Sequence, residues 1–163
     1  MKTFLIFLSI IISTTLSAQI TKVSLQASGL TCSMCSNSIN KAIRSLDFVD
    51  KLDANIKTST FEITFKPAAN VDFDKIKRKV EDAGFSVARF VATIHFNKIQ
   101  VKPNEQITVA NKTFKLLNVK DNLLNGDRQV RIIDKGFVSI KEFRKNPIPG
   151  SATGTRIYNV TIS

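Results

Sequence analysis

Cysteine is scarce in this 163-residue chain. There are two thiols, Cys32 and Cys35, with Ser33 and Met34 between them. There is one histidine, His95, and no tryptophan. A closed structural zinc site needs four Cys or His ligands, so these three side chains exclude one. A purely structural disulfide is a weak reading too, because a bridge across two intervening residues closes almost no loop. With one tyrosine (Tyr158) and twelve phenylalanines, Phe must supply most of the aromatic core. Long apolar runs are also few. The longest sits at the N-terminus and falls short of the ~20 residues a membrane span needs. No internal repeat is visible, and no Gly/Pro-rich linker interrupts Arg89 to Ala92.

Acidic residues are outnumbered, 13 Asp and Glu against 24 Lys and Arg, for a formal charge of +11. The bias is uneven. Residues 19–90 carry eleven basic and eight acidic side chains, and residues 91–163 carry twelve and five. No stacking motif of the RNA-binding kind accompanies this charge, which argues against nucleic acid. An anionic membrane face or an acidic partner protein fits it better. A plainly solvated basic surface fits equally well. The remaining composition, 43% hydrophobic and 23% charged, is that of a globular chain. The length suits one ordinary domain or two small ones.

Residues 1–18 read as a cleavable signal peptide. Lys2 supplies the charged region, Phe4 to Leu8 and Ile10 to Ile12 the apolar one, and Ala18 a small residue before a cut at Gln19. No cysteine near the cut offers a lipid anchor. The expectation is a periplasmic or secreted protein. In such compartments paired cysteines are usually oxidised.

Periodicity then predicts the order of elements. Val23, Leu25 and Ala27 alternate as a strand. Cys35, Ile39, Ala42, Ile43 and Leu46 recur at helical spacing, with Asn40, Lys41 and Arg44 on the other side. Val49 to Ile56 and Phe61 to Phe65 read as strands. Phe73, Ile76, Val80 and Ala83 mark a second helix, capped by Asp72 or Asn70 and ended by Gly84. A fourth strand starts at Phe85 or Val87. This β-α-β-β-α-β order is the ferredoxin-like split arrangement. Beyond it the reading is of strands only: 94–101, 106–109, 113–119, 129–133, 137–140 and 157–162, with a hairpin turn at Asn125-Gly126. The expected class is α+β. A ferredoxin-like domain (19–91) precedes a small all-β domain (92–163), a barrel or a sandwich, with an OB-like barrel as one form. The fourth strand is expected to run nearly straight between them.

The two thiols fall between the first strand and the first helix. A thiolate there is favoured by the free N–H groups and dipole of the helix start. Such a pair suits two chemistries: binding a soft metal ion, or cycling between dithiol and disulfide. The surrounding stretch Gly29-Leu30-Thr31-Cys32-Ser33-Met34-Cys35, with Gly84-Phe85 ahead of the last strand, resembles the heavy-metal-associated domain over about residues 21–90. That family includes small copper chaperones and the N-terminal modules of metal-pumping ATPases. The resemblance implies a metal-binding protein rather than an enzyme, with Cys32 and Cys35 as ligands. Gly29, Leu30, Thr31, Met34 and Phe85 would support the loop. Leu30 stands where the family has Met, and should serve as packing. Phe85 stands where relatives carry a hydroxyl or ammonium group, and can shield the loop but not donate to a thiolate. Relatives tuned for zinc often carry an acid where this chain has Thr31, which tilts the choice to Cu(I) over Zn(II) or another soft metal. The implied partner is a metal donor or acceptor, with an acidic face opposite Lys41, Arg44 or the basic run 75–79. The alternatives are a thiol–disulfide exchange protein and an interaction protein whose metal site is vestigial. Against exchange stand the missing Trp before Cys32 and a strand order unlike that of thioredoxin. His95 reads as a strand residue rather than a ligand.

Overall fold

The computed structural model describes residues 19–30, 32–119, 122–145, 147 and 156–162. The expected signal peptide and Thr31 lie outside the described residues. The elements run β1 (Ile20–Ser28), α1 (Ser33–Arg44), β2 (Val49–Asn55), β3 (Thr60–Phe65), α2 (Phe73–Asp82), β4 (Ser86–Gln100), β5 (Gln106–Val109), β6 (Lys112–Asn118), β7 (Leu123–Ile132), α3 (Ile140–Lys145) and β8 (Ile157–Ile162). The strands form one sheet in the order β2-β3-β1-β4-β7-β8-β6-β5.

The first half has the ferredoxin-like arrangement. β1 lies between β3 and β4, antiparallel to both. Its alternation buries Val23, Leu25 and Ala27 on one face. Ile39 and Ile43 of α1 and Phe73, Ile76 and Val80 of α2 fill the same core. Full burial of one such side chain stabilises by roughly 1.5–3 kcal/mol, so the apolar stripes dominate helix placement. Asp72 caps α2, its carboxylate accepting the Lys75 N–H at 3.0 Å. At the other end Gly84 takes φ +88°, and the Gly84 and Phe85 N–H groups donate to the Glu81 and Val80 carbonyls. This is the paired C-terminal motif that a left-handed glycine permits.

The second half departs from the expected barrel or sandwich. β4 runs fifteen residues without a break, pairing with β1 over its first part and with β7 from Phe90 onward. The strands after it extend the same sheet. The chain therefore joins its halves through one strand and one core, where Phe90 meets Phe73 at 5.1 Å and Phe137 at 5.2 Å between ring centroids. Tyr158 of β8 packs on Phe73 and Phe137.

Asn125-Gly126 is not a hairpin turn. It lies inside β7, with Gly126 at φ +72° opposite Phe96, beside the bulge that Asn97 and Lys98 make in β4. A glycine absorbs the irregularity there as it would in a turn. The turn between the strands read at 106–109 and 113–119 is a tight hairpin at Ala110-Asn111, both at positive φ.

Nor is the half all-β. The expected strand 137–140 ends in α3. The Ser139 hydroxyl accepts the Glu142 N–H at 3.2 Å, while one Arg131 nitrogen reaches both Glu142 oxygens at 2.8 Å. Arg131 lies between core-facing Val130 and Ile132, so the pleat turns it to the second face of the sheet. Val91 does the same between Phe90 and Ala92. It is buried there, on the face that α3 reaches through Glu142.

Candidate functional site

Cys32 and Cys35 sit where β1 hands over to α1. Cys32 is the N-cap residue, with extended backbone, and its sulfur accepts the Cys35 N–H at 3.3 Å. A sulfur thus does the work usually given to a Ser or Asp oxygen at this position. The hydrogen bond from the Cys35 side chain lowers the Cys32 pKa most. The Cys35 N–H adds to this; desolvation pushes the other way, and the Met34 N–H contributes the least of the lowering. Both residues are reduced thiols; Cys32 is exposed and Cys35 half-buried. The first turn carries no acidic side chain that would oppose a thiolate.

The supporting residues surround this turn. Gly29 has φ +87°, and a methyl group added there would lie 3.8 Å from the Phe85 ring. Phe85 therefore covers the loop from the side, fixed by the C-terminal motif of α2. Leu30 and Phe85 are both half-buried against the core. Met34 points to solvent, 79% exposed. The β2–β3 turn closes the other flank: the Ala27 N–H donates to the Ser59 carbonyl, and the Gln26 amide to that of Thr58.

His95 is remote from the thiols. It lies on β4 opposite Asp127 of β7, with Nδ1 2.8 Å from the carboxylate. Lys41, Arg44, Lys75, Arg78 and Lys79 lie on the helices. Arg44 is spoken for, donating to the Leu52 carbonyl and the Asn40 side chain. Among the described residues no group of three or more His, Cys, Asp and Glu side chains converges as a metal cage. The donor set is two thiols. A cavity of about 540 Å³ lined by Gln19, Phe65, Val71 and Asn111 lies at the opposite end of β1.

One polar cluster escaped the sequence reading. Arg156, just before β8, lies between two carboxylates, Asp74 of α2 at 3.0 Å and Asp134 at 3.2 Å. Tyr158 donates to Asp74 at 2.8 Å, and the Asn159 amide to Asp134 at 2.7 Å. Burial pushes Asp74 up, but the Arg156 and Tyr158 hydrogen bonds outweigh it and hold the carboxyl below its usual range. For Asp134 burial wins and its pKa is raised. The two carboxylates lie far in sequence from each other and from Arg156, Tyr158 and Asn159, and nothing in their spacing signals the contact. The Ser139-x-x-Glu142 start of α3 was legible as a capping signature.

The family model for the heavy-metal-associated domain matches residues 24–86. The mercuric transport protein periplasmic component of Pseudomonas fluorescens is 36% identical over 63 residues, 39% of this chain and 68% of that protein. A probable copper-exporting P-type ATPase of Archaeoglobus fulgidus is 40% identical over 62 residues, 38% of this chain. The chain spans only 8% of that ATPase's length. Among solved structures, the yeast copper transporter domain, determined in apo and Cu(I)-loaded states, is 37% identical; the match covers 41% of this chain and 90% of that one, with a TM-score of 0.37.

Proposed function

The chain belongs to the heavy-metal-associated domain family, and from that premise we propose that it binds Cu(I) through Cys32 and Cys35 and passes the ion to or from another protein. The observation that carries this reading is the Cys32 sulfur itself: exposed, at the head of α1, accepting a backbone N–H, with its pKa lowered. Soft thiolates prefer Cu(I) and other soft ions to hard cations. Two sulfurs on an exposed turn satisfy an ion of low coordination number and leave an approach for an incoming third sulfur. That openness is what ligand exchange requires. Thr31, in place of an acid beside Cys32, favours Cu(I) over Zn(II). The copper proteins among the relatives support the choice of metal, and the mercuric transport relative supports soft-metal handling on an isolated domain of this size.

The role is that of a carrier or sensor, not an enzyme. The charged and apolar pattern of residues 1–18 supports an exported compartment, where occupancy by Cu(I) or a reductant would keep the pair reduced. The same lowered pKa suits a nucleophile in disulfide exchange, and one experiment separates the two. Reduced protein is titrated anaerobically with Cu(I) against a competing chelator, beside a Cys32→Ser/Cys35→Ser variant. Tight one-to-one binding that vanishes in the variant supports the carrier. Absence of binding, with a disulfide that cycles readily against a dithiol, supports exchange.

A further inference from the structure

We infer that the start of α3 belongs to the surface on which the metal-exchange partner docks, and that this partner presents acidic side chains there. The inference rests on the reading of Cys32 and Cys35 as a transfer site and adds to it a contribution from the second half of the chain.

Four large apolar side chains are exposed among the described residues: Met34, Ile56, Leu123 and Ile140. Singly, each would be ordinary. Three of them share one end of the sheet. Met34 lies between the thiols. Ile56, 56% exposed, begins the β2–β3 turn, which is tied to the end of β1 through Ala27 and Ser59. Ile140, 67% exposed, begins α3, and the neighbouring Ser139 N–H donates to the Ala88 carbonyl on the free edge of β4. β4 starts at this same end, since Ser86 pairs with Ser28, the last residue before the thiol loop. Across the order β2-β3-β1-β4 and one further chain segment, four strand spacings of about 4.8 Å place Ile56 and Ile140 roughly 20 Å apart. The thiol loop lies between them. That span fits within the ~800 Å² per partner of a standard specific interface.

Charge then selects the partner. Lys135, Lys141, Arg144 and Lys145 are exposed around Ile140, and none has an ion-pair partner among the described residues. The acids of the same segment are already committed, Asp134 to Arg156 and Glu142 to Arg131. Glu81 and Asp82 at the end of α2 are the nearby opposing charges, fewer than the cations. Exposed apolar side chains at the thiol end of the sheet, with uncommitted cations on one flank, fit an acidic protein surface. Such charges act chiefly on encounter rate and fade with salt.

The test uses the full chain and two synthetic peptides, each holding Cu(I) through a Cys-Ser-Met-Cys core. One is flanked by four glutamates on each side, the other by four serines. Metal transfer into the protein is followed by anaerobic stopped flow, and association of the metal-free peptides by amide NMR shifts. The expected result is transfer about tenfold faster from the glutamate peptide at low salt. An Ile140→Ser/Lys141→Glu variant should lose that advantage. Lys102→Glu, the same charge change far from the loop, should keep it. Equilibrium Cu(I) affinity should be equal in all three. Unchanged rates in Ile140→Ser/Lys141→Glu, or equal losses in Lys102→Glu, would overturn the inference. If the protein holds no Cu(I), the transfer-site reading fails separately. The metal-free titration then decides: shifts at 135–145 with the glutamate peptide uphold the surface, and their absence rejects it.

Discussion

Replacing Phe137 by Ala removes a ring from the point where the two halves of the chain meet. Phe137 is fully buried. It stands edge-on to Phe90 of β4 at 5.2 Å and to Tyr158 of β8 at 6.0 Å. Lys77 of α2 and Arg156 approach it at 5.4 and 5.7 Å from the ring centre. A buried Phe covers at least ~150 Å², worth about 4 kcal/mol at ~25 cal/mol/Å². Phe→Ala changes in cores cost about 3–5 kcal/mol once the cavity is included. A domain of this size has about 5–15 kcal/mol in total, so the variant should remain folded but melt about 10 °C lower. With no Trp and a single Tyr, the fluorescence of Tyr158 reports β8 and its packing on α2. Amide exchange at Val23 and Leu25 reports the sheet centre of the first half. In urea both probes should lose the same free energy. If Tyr158 is released early while Val23 and Leu25 keep full protection, the halves are separate units and the single-core description fails.

Two further predictions concern ionisable groups. Alkylation of Cys32 should reach its half-maximal rate at a pH below that of an ordinary cysteine, because the Cys35 side chain and backbone N–H stabilise the thiolate. A profile centred at the free-thiol value would contradict the capping geometry. Arg156→Ala should cost about 2 kcal/mol at neutral pH, since it removes the ion pair from a buried Asp134 oxygen that has no hydrogen bond to replace it. It should also change the acid limb of stability. The depressed pKa of Asp74 contributes stability above its unfolded value that is lost as pH falls through the folded value. Asp134 works in the opposite sense, with its stability lost as pH rises. Without Arg156 the first contribution shrinks, so Tyr158-detected acid unfolding should become less steep. An unchanged acid limb would show that Arg156 does not set the Asp74 pKa.

Much of the first half was legible because its signals are local. Alternation at Val23-Leu25-Ala27, the stripe Phe73-Ile76-Val80, the cap Asp72 and the stop Gly84 each depend on neighbours within a turn or a strand. The thiol loop was legible for the same reason, its two cysteines being three residues apart. What the sequence withheld was non-local. Whether β4 ends a domain or carries on depends on its pairing with β7, thirty residues away, and on aromatic contacts from Phe137 and Tyr158. The alternation of 94–101 reads alike in either case. Asn125-Gly126 misled because glycine at positive φ serves a bulge as well as a turn. The six-residue α3 is too short for a helical period, and it is fixed by Arg131–Glu142 across the sheet. The Asp74–Arg156–Asp134 cluster exists only once α2 and β8 are packed.

The most direct measurement is X-ray absorption at the copper edge of the Cu(I)-loaded full chain, with Cys32→Ser and Cys35→Ser variants alongside. The account predicts a first shell of sulfur supplied by two thiolates, with one sulfur lost in each single variant. A shell of nitrogen or oxygen donors, or one that survives both substitutions, would contradict Cys32 and Cys35 as the site.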